Sequence, residues 1–522
     1  MVPMSGARIP GRRIAAAVLA GALPALAFPA PALWWFAYVA LVPWMLLLRS
    51  APTGRRAALE GWLGGAALIV AVHHWLLPSL HVFLLPVAAL LGLLWIPWAL
   101  LVRELLGGAP SAGRAGAALV LVPAGWLLSE LVRSWQGLGG PWGLLGASQW
   151  QVPPALRLAS VGGVWLVGLA VVAVNCAVVL LLAVPGARAP AVAGLTGWAV
   201  LTGGVWLWAP SPEVTGRLRV AVVQPGPVAD GPDSTELRFA AGERLTRTLA
   251  GRPVDLVVWG ESSVGEDLAA RPDLARRLAA LSAETGAPLL VNVDARQPGR
   301  PGIRKSAVLV DARGTTGDRY DKMRLVPFGE YVPARSLLGW ATAVGRAAGE
   351  DRVPGDAPVV MGLPGGVRIG PLVCFESAFP DMSRHLVREG AGVLVAQSST
   401  STFQDSWAPA QHASLAALRA AETGRPVVHA TLTGISAVHG AYGERIGGAL
   451  PTAASTAAVY EVPTARGTTL YARFGDWPVA AALAVLAAYC AAEGSRSLRR
   501  HARRPSPPPA RTVRGSGARR GR

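Results

Sequence analysis

Three polar side chains stand at or near the ends of short β-branched runs in the polar half of the chain. They are Glu261 after "DLVVWG", Lys322 inside "YDKMRLVPFGEYVP", and Cys374 after "GPLV". A cysteine attacks a carbonyl carbon only as its thiolate, so it needs a base or a cation beside it. A carboxylate can take the thiol proton, and a lysine ammonium can stabilise the oxyanion of a tetrahedral intermediate. Together the three residue types can carry covalent acyl chemistry. Taken singly, each has an ordinary reading: a small buried hydrophobe, a solvated or helix-capping acid, a surface charge.

Lysine usage sharpens one of these. Of 49 basic residues only Lys305 and Lys322 are lysine. Arginine serves most surface and anchoring roles here, so a retained lysine marks a position where a compact ammonium matters. Cysteine usage is equally sparse. Cys176 and Cys490 fall within apolar runs, which leaves Cys374 as the one cysteine of the polar region and gives no disulfide framework.

The elements that must position these groups alternate. "LRVAVVQPGP", "VDLVVWGESS", "APLLVNVDA", "KSAVLVDARG", "VRIGPLVCFES" and "AGVLVAQSST" read as strands, and "DLARRLAALSAETG" and "APAQHASLAALRAAETG" read as amphipathic helices between them. The pattern predicts an α/β domain over residues 218–462, with functional groups collected where strands end.

The remainder has a different solvent. Hydrophobic residues make up 52% and charged residues 15% of the 522, and mean hydropathy is +0.39. Apolar runs near 12–29, 31–48, 57–77, 80–102, 115–133, 158–184 and 190–209, with one more near 474–493, predict about eight spans of a roughly 30 Å hydrocarbon core. Residues 1–210 thus form an N-terminal membrane domain of about seven spans, and 474–493 a closing one. Arg8, Arg12, Arg13, Arg49, Arg55, Arg56, Arg103, Arg114, Arg188 and the C-terminal stretch fall on one side if the spans alternate. By the positive-inside rule both termini are cytoplasmic and the α/β domain lies on the extracytoplasmic side of the cell membrane. The +18 charge is accounted for largely by this topology and by ten arginines in 495–522, a basic segment expected to be a disordered cytoplasmic tail that contacts anionic lipid or a membrane partner enzyme. Nucleic acid is not implied.

The flanking text goes further. These segments resemble the nitrilase superfamily, whose signature is a Glu-Lys-Cys triad on an αββα sandwich. With the spans, "YDKMRLVPFGEYVP", "CFESAFP", "RAAETGRPVVHATLTGISAV" and "ELVRSWQGLGGPWGLLGASQ" resemble the bacterial apolipoprotein N-acyltransferase family over nearly the whole chain. The resemblance implies Glu261 as general base, Lys322 as oxyanion-stabilising ammonium, Cys374 as nucleophile, and supporting roles for Glu330 and Glu376. It also implies a phospholipid acyl donor, the diacylglyceryl-cysteine of an apolipoprotein as acceptor, a thioester intermediate, and no metal or cofactor. Phe375 stands where tyrosine is common, Gly260 where proline is usual, residues 398–403 where an Asn-Asp-x-Trp-Phe run is usual, and His429 and Leu432 where arginine and asparagine are frequent. These departures bear on pocket shape and acyl preference.

Other residues have weaker claims. Phe375, Leu337, Leu338 and Trp340 are candidate lipid contacts, the last three in a sparsely charged segment that either dips into lipid or packs on the domain. His73, His74 and His81 read as interfacial polar groups, while His412 and His429 lack metal-ligand spacing. Glu130 and Arg133, three apart, predict a mutual pair acting as a clamp beneath the α/β domain, the arginine snorkelling to the interface. Two other functions use the same text: a membrane-anchored amidase or nitrilase-type hydrolase with water as acceptor, and a non-catalytic scaffold for a lipid-modifying enzyme.

Overall fold

A computed structural model describes residues 10–228, 234–299, 302–340, 342 and 348–502. Among the described residues five helical segments are long and apolar enough to cross a membrane: 54–106, Ala112–Arg133, Pro153–Ala183, Pro185–Trp208 and Trp477–Arg499. The first is a 53-residue run that turns back on itself and covers the third and fourth expected spans. The first two expected spans differ from expectation. Residues 12–29 form a 13-residue helix, Pro10–Ala22, followed by the 3-10 turn Leu23–Ala27, and residues 31–48 form the 3-10 turn Trp34–Tyr38 and the helix Val42–Arg49. Pro24, Pro29, Pro31 and Pro43 account for the breaks, since each removes a backbone donor and crowds the preceding turn. At the other end, the closing helix runs on to Ala502, so the start of the 495–522 segment is helical where a disordered tail was expected. Residues 503–522 lie outside the described residues.

The polar region is a two-sheet sandwich. One sheet takes β1 (Glu213–Gln224), β2 (Leu256–Trp259), β3 (Leu289–Arg296), β4 (Ile303–Asp311) and β5 (Gly314–Asp321). The other takes β6 (Met361–Gly362), β7 (Arg368–Val373), β8 (Val393–Ser398), β9 (Val427–Thr431), β10 (Ser436–His439) and β11 (Arg445–Leu450), and β12 (Thr456–Arg466) returns to the first. The orders are β12-β1-β2-β3-β4-β5 and β11-β10-β9-β8-β7-β6, each with a parallel trio at its heart, β1-β2-β3 and β7-β8-β9. Buried on both faces, these strands are continuous apolar runs, and alternate residues serve different cores. Val220 and Val222 join the core shared with the second sheet, while Ala221 and Val223 pack under Phe239, Leu274 and Leu278 of the helices Ser234–Arg247 and Pro272–Thr285.

The helix Ala408–Thr423 lies between the sandwich and the membrane helices, which explains why nearly every residue on it is buried. Gln411 ties the parts together. Its Oε1 accepts from Trp75 Nε1 (3.1 Å) and Trp142 Nε1 (2.8 Å), and its Nε2 donates to the Val72 carbonyl (3.3 Å). The Pro153–Ala183 helix breaks at Gly162 and Gly163, where φ of Gly163 is +67° and a Cβ would meet the Tyr471 ring at 2.6 Å. The amide of Val164 is then taken by the Glu422 carboxylate (2.7 Å), so the sandwich caps a broken membrane helix.

Candidate active site

Cys374 is the first residue after β7 and opens a short 3-10 turn, Cys374–Ala378. Its φ is +53°, a left-handed conformation that a non-glycine residue adopts only when its surroundings impose it. Three groups impose it here. The Cys374 carbonyl accepts from Ser377 Oγ (2.9 Å) and lies 3.1 Å from His412 Nε2, which is itself 3.0 Å from Ser377 Oγ. Glu376, wholly buried, accepts the Val373 amide on Oε2 (2.7 Å). On Oε1 it accepts Tyr320 Oη (2.6 Å), the Met323 amide (2.7 Å) and the Arg324 amide (3.1 Å). Glu376 forms no hydrogen bond with either lysine. It binds the loop that carries Lys322 to the strand that carries Cys374.

Glu261 follows β2 and Gly260. A Cβ at Gly260 would lie 1.9 Å from the Leu432 amide nitrogen, so this approach of the sheets requires glycine at that position. The Ser398 carbonyl accepts both the Glu261 amide (3.1 Å) and the Leu432 amide (2.9 Å), joining the sheets directly behind the carboxylate. The departures at Gly260, Ser398 and Leu432 thus meet at one seam, where they act through backbone. Glu261 Oε1 accepts from Lys322 Nζ at 3.3 Å and from Lys305 Nζ at 2.9 Å. Lys322 Nζ also donates to Glu330 Oε1 (2.7 Å), whose Oε2 accepts the Val326 amide (2.8 Å). Lys305 Nζ lies 3.4 Å from Glu330 Oε1 and 3.7 Å from Asp294 Oδ2.

Sequence reasoning gave Lys305 no role. The clue was present in the lysine count, but Lys305 lies within β4 and not at a strand end. It reaches the cluster because β4 pairs with β3, setting Lys305 opposite Asp294, and because the Lys322 amide bonds the Lys305 carbonyl (2.8 Å) just past the end of β5. His412 was also missed, since 38 residues of chain separate it from the carbonyl it holds.

These contacts set the protonation states. Burial pushes the Glu261 carboxyl up, but the Lys305 and Lys322 charges and the hydrogen bonds from Lys305 and the Cys374 thiol outweigh it, leaving the group at about 2. Burial lowers Lys322, yet Glu330 and then Glu261 hold it above the ordinary lysine value, and Lys305 is raised well above it against the same burial cost by Glu261, Glu330 and Asp294. The Cys374 thiol is pushed up to about 12, first by burial and then by the Glu261 charge. At rest the site therefore holds a thiol at Cys374, a carboxylate at Glu261 and ammoniums at Lys322 and Lys305. His412 is lowered to about 4 by burial, consistent with a neutral ring.

The other candidates are placed differently. Phe375 is buried edge-to-face on Phe379 (4.9 Å), and a Cβ on Gly140 of the membrane domain would sit 2.7 Å from its ring. Trp340 is half exposed beside Phe83 (5.2 Å between rings), and Leu337 stands open on the helix Arg335–Leu338, with Leu338 partly covered. Glu130 and Arg133 do not pair, which corrects the expected ion pair, and the arginine is buried instead of snorkelling. Glu130 Oε1 accepts the Leu145 amide (2.7 Å) and Arg133 donates to the Gly140 carbonyl (3.4 Å), so both act on the loop that reaches Phe375. His73 and His74 bond the Ile69 and Ala71 carbonyls.

A thiol and a carboxylate under two ammoniums, at strand ends of a two-sheet sandwich set on apolar helices, define a membrane-embedded carbon–nitrogen hydrolase-type protein. Residues 219–470 match the carbon–nitrogen hydrolase family, and residues 20–177 match the apolipoprotein N-acyltransferase N-terminal domain. Along most of its length the chain is similar to apolipoprotein N-acyltransferases from three bacteria. It is 31% identical to that of Geobacter metallireducens, covering 92% of this chain and 95% of the relative. For Azotobacter vinelandii the figures are 33%, 96% and 97%, and for Pseudomonas aeruginosa 31%, 91% and 94%. The chain belongs to the apolipoprotein N-acyltransferase family, acyltransferases of lipoprotein maturation built on a nitrilase-type domain.

Proposed function

We propose that Cys374, Glu261 and Lys322 carry a two-step acyl transfer from a membrane phospholipid to the α-amino group of the diacylglyceryl-cysteine of an apolipoprotein. Glu261 takes the thiol proton as sulfur attacks the donor ester carbonyl, and the Lys322 ammonium meets the oxyanion. Collapse expels the lysophospholipid alkoxide, which leaves with the proton from Glu261, and the acyl group stays on sulfur as a thioester. The acceptor amine then attacks the thioester carbonyl and gives a proton to Glu261. The thiolate departs and regains that proton, and an amide remains.

The observation that carries this reading is Glu261 Oε1 within hydrogen-bonding distance of both Lys322 Nζ and Lys305 Nζ. Glu261 and Glu330 beside a single ammonium would leave an excess negative charge where another must develop. With Lys305 the four charges cancel, and Lys322 can turn toward an oxyanion while Glu261 keeps a cationic partner. Lys305 is thus a positioning residue for Glu261, and Glu330 one for Lys322. Phe375, Leu337, Leu338 and Trp340 are assigned to the lipid approach, because Phe375 meets Gly140 and Trp340 meets Phe83 of the membrane domain, and Leu337 and Leu338, on the short helix Arg335–Leu338, precede Trp340. Both termini are placed in the cytoplasm, with the sandwich on the extracytoplasmic face of the cell membrane, on the arginine distribution alone.

The test is purified protein in detergent with phospholipid and a diacylglyceryl-cysteine peptide, followed by mass spectrometry. Acyl gain on the peptide α-amine, abolished in Cys374→Ala, is the expected result. Free fatty acid from a Cys374 thioester without acyl gain would make the protein a hydrolase, and absence of any thioester would make it a scaffold.

A further inference from the structure

At the far end of the Ala408–Thr423 helix from the thiol, a cavity of about 530 Å³ opens between the membrane domain and the sandwich. Ala421 lines it, while His412 serves Cys374, and nine residues of helix separate them by about 13 Å. Its wall is rich in donors. Both ring nitrogens of His439, a residue 1% exposed, and Trp150 Nε1 are buried beside it with no hydrogen-bond partner among the described residues. Buried polar groups are ordinarily satisfied, and the indole N–H and the one N–H of a neutral imidazole, both orphaned beside this cavity, point to an occupant that supplies acceptors.

Cations stand beside them. Arg445 is the cross-strand partner of His439, which puts both side chains on one face of the β10–β11 pair. Its guanidinium carbon lies 5.9 Å from the Trp150 ring, and the guanidinium makes no hydrogen bond or ion pair among the described residues. Arg157 lies 5.7 Å from the Tyr442 ring and is held by the Ala209 and Pro210 carbonyls and Ser211 Oγ at the end of the helix Arg188–Trp208. The lining carboxylate, Glu444, has its Oε2 on the Tyr442 amide (3.0 Å), within the β10–β11 turn. The Arg445 and Arg157 guanidiniums beside this space, with the two N–H groups buried in its wall, fit a phosphate oxyanion.

The membrane side chooses its source. Trp206 lines the cavity, and its neighbours Leu207 and Trp208 are 69% and 79% exposed on a helix whose apolar surface is otherwise bare. Tryptophan at the end of a span marks headgroup depth. We infer that this cavity holds the phosphodiester headgroup of a membrane glycerophospholipid, bound by Arg445, His439 and Trp150 with Arg157 beside it, its acyl chains lying along the outer face of the Arg188–Trp208 helix. This lipid is separate from the acyl donor and seats the sandwich on the membrane domain.

Full-length protein in detergent, stripped of lipid, is to be irradiated with phosphatidylglycerol carrying a diazirine beside its glycerol, and the labelled peptides mapped. Labelling within 150–157 and 439–445 is expected, competed by unlabelled phosphatidylglycerol and not by inorganic phosphate. Arg445→Gln and Trp150→Phe should each lower that labelling about tenfold, as loss of a charge-assisted or buried hydrogen bond implies. Cys374 thioester formation should stay at the wild-type rate, which also reports that both variants fold. Labelling confined to peptides around Cys374, or unchanged in both variants, would overturn the site. Competition by inorganic phosphate would overturn the lipid assignment in favour of a free-anion site.

Discussion

At the mouth of the sandwich, charges meet charges: Glu261 and Glu330 share Lys305 and Lys322 within 3.4 Å. At the seam and along the join to the membrane helices, buried carboxylates meet backbone. Glu376 holds Val373, Met323 and Arg324 amides and Glu130 the Leu145 amide, while Glu422 stands between the two kinds, holding the Val164 amide and the Arg419 guanidinium. A carboxylate surrounded by amides has its lone pairs spent on geometry. A carboxylate surrounded by ammoniums keeps its charge in a buried place and can exchange a proton there. The first kind of removal should cost stability and the second should cost chemistry.

Cys374→Ala and Glu261→Gln test the chemical half hardest. Each should lower acyl transfer at least about 10⁴-fold, because nucleophile and base act as a unit. Thermal melts in detergent should stay near wild type for Cys374→Ala. A large loss of stability there would break the division. Lys305→Met should cost about 100-fold in acyl transfer, since it removes the cation closest to Glu261. It carries a sharper signature in pH. Lys305 holds the Glu261 carboxyl down near 2, so the base is ionised throughout the neutral range. Without it the carboxyl titrates higher, and the acid limb of the kcat/KM profile moves to higher pH. A profile that keeps its acid limb while activity falls would show Lys305 to be structural only.

Glu376→Gln tests the other half. A glutamine cannot accept four donors, so at least one buried N–H or O–H loses its partner, at about 2 kcal/mol. The melt should fall, and the acid limb should not move, since Glu376 contacts neither lysine. Movement of that limb would place Glu376 in the charge cluster.

The same division explains what could be read in the sequence. Glu261, Lys322 and Cys374 stand at or just past strand ends beside turn residues, a local pattern, and the sandwich follows from period and punctuation. Glu376 was visible as a neighbour of the cysteine, but three of its four donors come from residues 320–324, more than 50 positions away, so its task was not. Lys305 lies inside a strand, and only the pairing of β3, β4 and β5 delivers it to Glu261. The early spans were overread because apolarity alone does not register that Pro24, Pro29, Pro31 and Pro43 divide the helix. Glu130 and Arg133 have helix-pair spacing, yet each found a loop amide or carbonyl instead, a choice made by the 139–145 loop folding back over them.

That loop gives the smallest test. Gly140 has φ +68°, and a Cβ there would lie 2.7 Å from Phe375 and 2.8 Å from Phe379. Gly140→Ala combines a left-handed alanine with a displaced ring, for about 1–2 kcal/mol. The thiol, the carboxylates and the lysines are untouched, so thioester formation from a short-chain water-soluble ester should proceed as in wild type. Phe375 follows Cys374 directly, however, and moving its ring alters the wall between the thiol and the membrane domain. The KM for long-chain phospholipid should therefore rise while kcat holds. A fall in kcat for both donors would mean that the membrane loop positions the nucleophile itself, and the boundary between the two kinds of buried group would then run through Cys374.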